Sequence, residues 1–417
     1  MARYAAVLPP GTLPEARLLL TGRALRAFGD GFVSLLLPYY LTLLGFSPLK
    51  VGVIVTATLF GAGVLTLAVS LAGHRYHPRN LLRVAALLMI VTGAAIATLA
   101  DFWPLLLIAL IGTLNPSGGD ATIFVPLEHS LLAQAAPSER RTALFARYSL
   151  IGALVAAFGS QFAVMPDLMV RFHVTDPKSA LQAMFLLYGA LGVAAYALYR
   201  RLPAVAKGPP GQQQPGALGK SRRTVYTLAA LFSLDAFGDG FAVQSLLALW
   251  LYERFGLSIA AAGTIFFWTG VLTAFSHLAA ARLANRIGLI NTMVFTHLPS
   301  NVFCILAPFM PSLPLVLTFL FLRAALSSMD VPARTSYVMS VVAPEERAAA
   351  AGITAVPRSL AAAVSPSFAG YLLALSSFGW PLVICGGLKI TYDLLLLGMF
   401  RAVKPPQERR GRSRKDT

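Results

Sequence analysis

Ala27-Phe28-Gly29-Asp30-Gly31-Phe32 recurs unchanged as Ala236-Phe237-Gly238-Asp239-Gly240-Phe241, 209 positions further along a chain of 417 residues. Outward from this hexapeptide, Gly45, Gly52, Arg75 and Asn80 return as Gly256, Gly263, Arg286 and Asn291 at a shift of 211. Pro104, Pro137, Glu139 and Arg140 return as Pro311, Pro344, Glu346 and Arg347 at a shift of 207. A drift of a few residues is what loop insertions produce, so the chain reads as two homologous halves.

The halves belong in a bilayer. Hydrophobic residues make up 57% of the chain and charged residues only 12%, against roughly 25% charged in an ordinary soluble domain. No Asp, Glu, Lys or Arg occurs in 51–73, 255–281 or 291–322, and a spanning helix needs about 20 apolar residues. A transmembrane barrel would show alternating segments of about ten residues, which are absent. Breaking the apolar runs at Pro, Gly and charge clusters predicts twelve spans. They are 18–44, 49–73, 81–100, 103–127, 142–165 and 181–200, then 224–251, 258–284, 290–309, 312–340, 349–373 and 379–400. The expected fold class is an all-α membrane protein of twelve transmembrane helices, arranged as two pseudo-symmetric six-helix bundles. The bundles are expected at 1–201 and 224–401, with a linker at 202–223 and a basic tail at 402–417. Six spans per half return each half to the same side, so the repeat is parallel.

The formal net charge of +17 does not point to nucleic acid, because the bases sit in short gaps between apolar runs and in the tail. With the N-terminus inside, the outer loops hold only Lys50, Arg171, Lys178 and Arg254, which places both termini and the linker in the cytoplasm. The start of the chain lacks a signal-peptide pattern. Cys304 and Cys385 lie in apolar stretches without ligand spacing and read as small core residues. The histidines are scattered, so no metal site is expected. No phosphate-binding Gly-x-x-x-x-Gly-Lys-Ser/Thr sequence is present, and no cofactor is expected.

Twelve helices as six plus six, a basic central linker and parallel halves resemble the major facilitator superfamily of secondary transporters over nearly the whole chain. Its loop between helices 2 and 3 is echoed in Gly73-His74-Arg75 with Arg79 and in Ala284-Asn285-Arg286, both copies lacking the acid that helps latch the family's cytoplasmic gate. Asn115 and Gly119 occupy the spacing of the family's helix-4 arginine and glycine, and Arg323 stands near the matching place in helix 10. Ser365-Pro366-Ser367-Phe368-Ala369-Gly370 loosely echoes the antiporter motif. The resemblance implies that helices 1, 4, 7 and 10 line a central pathway.

Charges in mid-bilayer cost about 2.5–3.5 kcal/mol on insertion scales and belong against protein or a watery cavity. Asp30 and Asp239 fall near the centres of helices 1 and 7, each with a charged residue one helical turn earlier, Arg26 and Asp235. Arg26 and Asp30 are expected to neutralise each other, whereas Asp235 and Asp239 oppose joint ionisation unless a cation is near. Helix 10 is expected to carry Arg323, Ser327, Asp330 and Arg334 as one polar stripe. Helix 4 offers Ser117, Asp120, Glu128 and His129. Arg358 follows Pro357, whose freed carbonyl could accept its hydrogen bonds. Lys389 and Asp393 read as an intrahelical pair, and the Glu of each Pro-x-Glu-Arg as ordinary helix-start chemistry. Trp268, Phe266 and Phe267 read as lipid-facing or core.

The candidates for proton coupling or substrate binding are therefore Arg26, Asp30, Asp120, Asp235, Asp239, Arg323, Asp330 and Arg358. Those for the gate are Arg75, Glu128, Arg286 and Arg334. The leading expectation is a secondary transporter, not an enzyme, working by alternating access as a monomer in the plasma (inner) membrane. It would move a small-molecule substrate against a proton or other coupling ion, as efflux or antiport of an amphipathic or cationic compound. The alternatives are proton-coupled transport of a small organic anion or metabolite, and a non-transporting sensor or receptor on the same fold.

Overall fold

The computed structural model describes residues 12–72, 76–117, 122–135, 138–203, 219, 221–342 and 346–401, and among these there is no strand. Sixteen helices follow one another. They are α1 (Glu15–Leu43), α2 (Pro48–Ala72), α3 (Pro78–Thr98), α4 (Phe102–Ile111), α5 (Phe124–Gln134), α6 (Ser138–Phe162), α7 (Met165–Arg171) and α8 (Pro177–Arg200). The second half supplies α9 (Arg222–Phe241), α10 (Gln244–Phe255), α11 (Ile259–Ile287), α12 (Leu289–Leu306), α13 (Leu313–Ser327), α14 (Asp330–Val341), α15 (Arg347–Leu375) and α16 (Trp380–Phe400). Among the described residues, seven helical stretches are long and apolar enough to cross a membrane by themselves. The twelve predicted spans are all represented. Spans 4, 7 and 10 are each a broken pair, α4 with α5, α9 with α10 and α13 with α14, and α7 is a short additional helix before span 6.

Two of the breaks have a cause written in the sequence. Val125-Pro126 and Val331-Pro332 fill the second and third positions of α5 and α14. Proline is tolerated in a first helical turn, where N–H groups have no intrahelical acceptor. It cannot supply the bond that would continue the helix backward to the carbonyl of Thr122 or Ser328. In the first break, Asn115 is fully buried and accepts from the Ser117 amide at 3.3 Å and the Ser117 hydroxyl at 2.7 Å, an Asx turn. The break in span 7 falls directly after the second hexapeptide. The Ser245 amide, near the start of α10, donates to the Pro116 carbonyl at 3.1 Å, so an end group freed by one break satisfies an end group freed by another. Irregular backbone at membrane depth needs such internal partners.

The described residues form two compact units, one drawn from Met1–Lys207 with Val243–Gly270 and the other from Gly208–Ala242 with Val271–Thr417. Each has an apolar core built from corresponding helices. In the first, Leu19, Leu82, Leu127, Leu144 and Tyr199 bring α1, α3, α5, α6 and α8 together. In the second, Leu228, Met293, Tyr337, Ala350 and Tyr392 do so for α9, α12, α14, α15 and α16. The hexapeptide serves the same contact in both: a Cβ on Gly31 would overlap the Ala156 carbonyl of α6, and one on Gly240 the Ser365 hydroxyl and Ala362 carbonyl of α15. Small residues at such crossings let backbones approach without a lost contact.

Two bases of α3 and one of the repeated acids also find partners. Arg79 donates to the Leu202 carbonyl at 2.7 Å and Arg83 to the Arg200 carbonyl at 3.2 Å, so α3 caps the C-terminal end of α8. Glu346 departs from the helix-start reading. It accepts from the amides of Gly219 at 2.9 Å and Ser221 at 3.1 Å, satisfying backbone donors at the start of α9 rather than those of its own helix. The side chains of Glu139, Arg140 and Arg347 lie outside the described residues. Overpacking the crossings is expected to be costly: Gly31→Val and Gly240→Val should each lose about 1–3 kcal/mol, read as a lower melting temperature of the purified protein, with Gly387→Val, which has open space around it, as the tolerant control.

Candidate functional site

Among the described residues each unit carries a buried ionic cluster, and the two are built differently. In the first unit Arg26 of α1 is ion-paired with Glu128 of α5. The Arg26 Nε donates to the Tyr199 hydroxyl at 3.2 Å. The hydroxyls of Tyr148 and Tyr199 donate to the two Glu128 oxygens at 2.5 Å and 2.6 Å. The guanidinium lies 4.1 Å from the centre of the Phe124 ring. These four polar side chains are all at most 2% exposed. Arg26 therefore spends its charge on Glu128 rather than on Asp30, its neighbour one turn away. A carboxylate with a cation and two phenols bound to it is the stronger partner. Asp30 is buried within electrostatic reach of Arg26 and Tyr188. Glu128, expected at a gate or loop contact, is held inside the bundle.

The second unit contains the larger cluster. Asp235 of α9 accepts from Arg334 of α14 at 2.9 Å and lies 3.3 Å from the Lys389 ammonium of α16. Arg334 also reaches Asp330, one turn earlier, at 3.3 Å. Lys389 is ion-paired with Asp239 as well. It is not the partner of Asp393, as its spacing implied. Lys389 crosses to α9, where a Cβ on Gly238 would stand 2.9 Å from its Cγ, so the missing side chain leaves the lane that its stem occupies. Asp393 is bound instead by His297 at 3.0 Å and Asn301 at 3.0 Å, both from α12. The opposed acids Asp235 and Asp239 thus have the intervening cation that removes their conflict.

Exposure separates the members. Asp235 and Asp393 are at most 1% exposed, but the Asp239 side chain is 40% exposed. Arg358 of α15 lies beside Arg334 and within electrostatic reach of Asp235, Asp239 and Asp330. Its buried Nε has no acceptor among the described residues, so the carbonyl freed by Pro357 does not bind it there, and α15 runs through Pro357 without interruption. Arg323 of α13 sits by Cys304, Cys385 and Asp239, and its Nε is likewise without an acceptor. The helix-10 stripe is divided by the break, with Arg323 and Ser327 on α13 and Asp330 and Arg334 on α14. Arg286 is exposed in the last turn of α11. Asp120 and Arg75 lie outside the described residues. Trp268 is exposed, Phe266 is buried, and Phe267 packs on Phe158.

His297 and Asn301 are the members that spacing alone missed. One signal could have found the cluster's plan. Arg26 and Asp235 correspond at the hexapeptide's own shift, and Glu128 and Arg334 correspond at the Val-Pro shift of 206. The two interhelical bridges occupy equivalent places with their charges exchanged.

A chain of this architecture is matched by the family model described as Major Facilitator Superfamily, over residues 19–300 and 228–417. The chain belongs to that superfamily. As a superfamily member it is a membrane transporter and not an enzyme. It is 24% identical over 425 aligned positions to the Saccharomyces cerevisiae protein described as uncharacterized membrane protein YJR124C, covering 93% of this chain and 94% of that one. Among solved structures, the nucleoside transporter NupG matches with a TM-score of 0.72 at 14% identity, over 93% of this chain and 100% of its own. A D-xylose–proton symporter matches with a TM-score of 0.72 at 15% identity, over 91% and 96%. The human organic anion transporter MFSD10 matches with a TM-score of 0.63 at 19% identity, over 93% and 100%. At these identities the likeness is one of fold.

Removing one member of an enclosed ion pair leaves the other without compensation. Glu128→Ala should therefore cost about 3–5 kcal/mol of stability, measured by thermal unfolding. The charge-exchanged double variant Arg26→Glu with Glu128→Arg should recover part of that loss, since α9 and α14 already use the opposite polarity.

Proposed function

We propose that this superfamily member is a proton-coupled secondary transporter, working by alternating access around a site in its membrane interior, whose substrate carries an anionic group. The observation that carries the reading is Arg358. It is a largely enclosed guanidinium that touches no carboxylate among the described residues and stands beside a second arginine, Arg334. Asp235, Asp239 and Asp330 are already in ion pairs, and Asp393 is bound by His297 and Asn301. Arginine presents a planar fork suited to a carboxylate or phosphate. Arg323, with its own unused Nε, is the second donor in this reading.

The charge count supports coupling in the same direction. Four carboxylates (Asp235, Asp239, Asp330 and Asp393) stand with four cations (Arg323, Arg334, Arg358 and Lys389). A proton added to this set leaves one uncompensated positive charge, which an anionic substrate neutralises. Proton and anion then stabilise each other's binding, the linkage that symport requires. Asp239 is the acid placed to exchange a proton with solvent, because it alone of the four is substantially exposed. That an organic anion transporter and a proton symporter share the fold accords with this reading.

A second reading, proton-driven efflux of an amphipathic or cationic compound, is favoured by the same half-exposed Asp239, which a cation could reach by displacing Lys389. The topology proposed for either is that of a monomer in the plasma (inner) membrane, with six-helix bundles at 1–201 and 224–401 and with both termini and the linker cytoplasmic, following the basic residues.

A thermal-shift comparison of small carboxylates with a lipophilic cation, at two pH values, separates the readings, because a ligand of the folded state raises its apparent stability. Carboxylates should stabilise the wild type more at the lower pH. Arg358→Gln should weaken that binding about tenfold or more. Asp239→Asn should retain carboxylate binding. Stabilisation by the cation alone, lost in Asp239→Asn, would establish the efflux reading instead.

A further inference from the structure

Beside Asp235 lies a further titratable group that the substrate reading does not use. His297 of α12 is 1% exposed and Asp393 of α16 is fully buried. A carboxylate only accepts, so the 3.0 Å contact from Nδ1 to Asp393 puts a hydrogen on Nδ1. Asn301 holds the other Asp393 oxygen at 3.0 Å. The remaining ring nitrogen, Nε2, then faces Oδ1 of Asp235 at 3.9 Å, the oxygen that also lies 3.3 Å from the Lys389 ammonium but accepts no well-directed hydrogen bond among the described residues. An unprotonated Nε2 sets a lone pair against a carboxylate oxygen. A protonated one turns that opposition into an attraction.

The groups facing the imidazole come from every element packed around it. Asp393, Lys389 and the Tyr392 ring lie on α16, Asp235 on α9, Asp330 on α14, and Asn301 on its own helix. Arg334 reaches Asp235 from the far side, and Arg358 lies beyond Arg334. Two acids in direct reach outnumber the one cation, Lys389, that opposes a charge on the ring, and that cation is engaged with Asp239 and Asp235.

We infer that His297 and Asp393 form a proton-holding site, placed on α12 and α16 and filled from Asp239 through Lys389 and Asp235. The path is continuous: Asp239 is ion-paired with Lys389, Lys389 lies 3.3 Å from Asp235, Asp235 3.9 Å from His297, and His297 3.0 Å from Asp393. The transfer balances at each atom. Asp239 takes a proton from solvent. The Lys389 ammonium gives one proton to Asp235 Oδ1 and recovers one from the Asp239 carboxyl. Asp235 passes its proton to Nε2. Asp239, Lys389 and Asp235 return to their starting charges, and the imidazole holds one more proton. His297 is thus a proton-storing residue and Asp393 a positioning residue that fixes its tautomer. This deepens the proton-coupled reading above and rests on it for its purpose, though not for its existence.

The test is a pH titration of the full-length protein in lipid nanodiscs, with histidine labelled in its ring nitrogens and read by magnetic resonance, the His297 signals being identified by their loss in His297→Gln. One proton should be gained at Nε2 between about pH 9 and pH 5, with Nδ1 remaining protonated throughout. In Asp393→Asn the midpoint should fall by at least one pH unit, a tenfold loss of proton affinity. Asn301→Ser, which keeps the helix packing, should move it in the same direction and gives the readout should Asp393→Asn fail to fold. A His297 ring that stays neutral over this range, or a midpoint indifferent to both variants, overturns the site. Proteoliposome uptake of a carboxylate identified by the thermal-shift screen keeps the two ideas apart. Uptake that ignores a proton gradient while His297 still titrates overturns the coupling and leaves the site. Gradient-driven uptake with a ring that never gains a proton does the reverse.

Discussion

A charge taken into a bilayer must be answered by another charge, and in this protein the answer is a bridge between the hexapeptide helix and the helix that follows a proline break. Arg26 to Glu128 makes that bridge in the first unit and Asp235 to Arg334 makes it in the second. The desolvation of two ions is repaid only where geometry is good and further hydrogen bonds complete both groups. The breaks supply that geometry. By restarting the helix at Phe124 and Asp330, they set Glu128 and Arg334 at the same place in the fifth position of a new helix, facing the hexapeptide.

From this shared plan the units diverge in what surrounds the bridge. Two tyrosines and a phenylalanine enclose Arg26 and Glu128, and the result is a buried, charge-balanced pair. Around Asp235 the corresponding space holds further ionisable groups, Lys389, His297, Asp330 and Asp393, and one edge of the set opens at Asp239. Low dielectric makes each of these groups sensitive to the ionisation of the rest. One half of a duplicated scaffold thus encloses its ions completely, while the other leaves one edge of its cluster exposed.

The fold was largely legible because the bilayer imposes it. A segment with no charge for 23 residues, such as 51–73, has few structures open to it other than a spanning helix, and the recurrence of the hexapeptide shows that the pattern was laid down twice. Even two of the helix breaks were written out, in the repeated Val-Pro. The site was less legible. Sequence spacing proposed Arg26 with Asp30 and Lys389 with Asp393, since neighbours one turn apart can always meet. In both cases a residue from another helix displaced the local partner: Glu128 took Arg26, and Asp239 with Asp235 took Lys389.

The third break shows the limit most directly. Ala-Phe-Gly-Asp-Gly-Phe continues as helix through Leu43 in α1 and stops at Phe241 in α9, although the six residues are identical. Propensity within these six residues is the same in both copies and so cannot decide between them, although Val33-Ser34 follows one and Ala242-Val243 the other. What differs is the company, including the Pro116 carbonyl that receives the Ser245 amide. The sequence by itself determined the solvent, the number of spans and the duplication, because these follow from hydrophobicity and periodicity along one strand of chain. Only the tertiary structure decided which charges meet, where the third break falls and which acid is left exposed, because each is a competition among partners distant in sequence and settled by proximity.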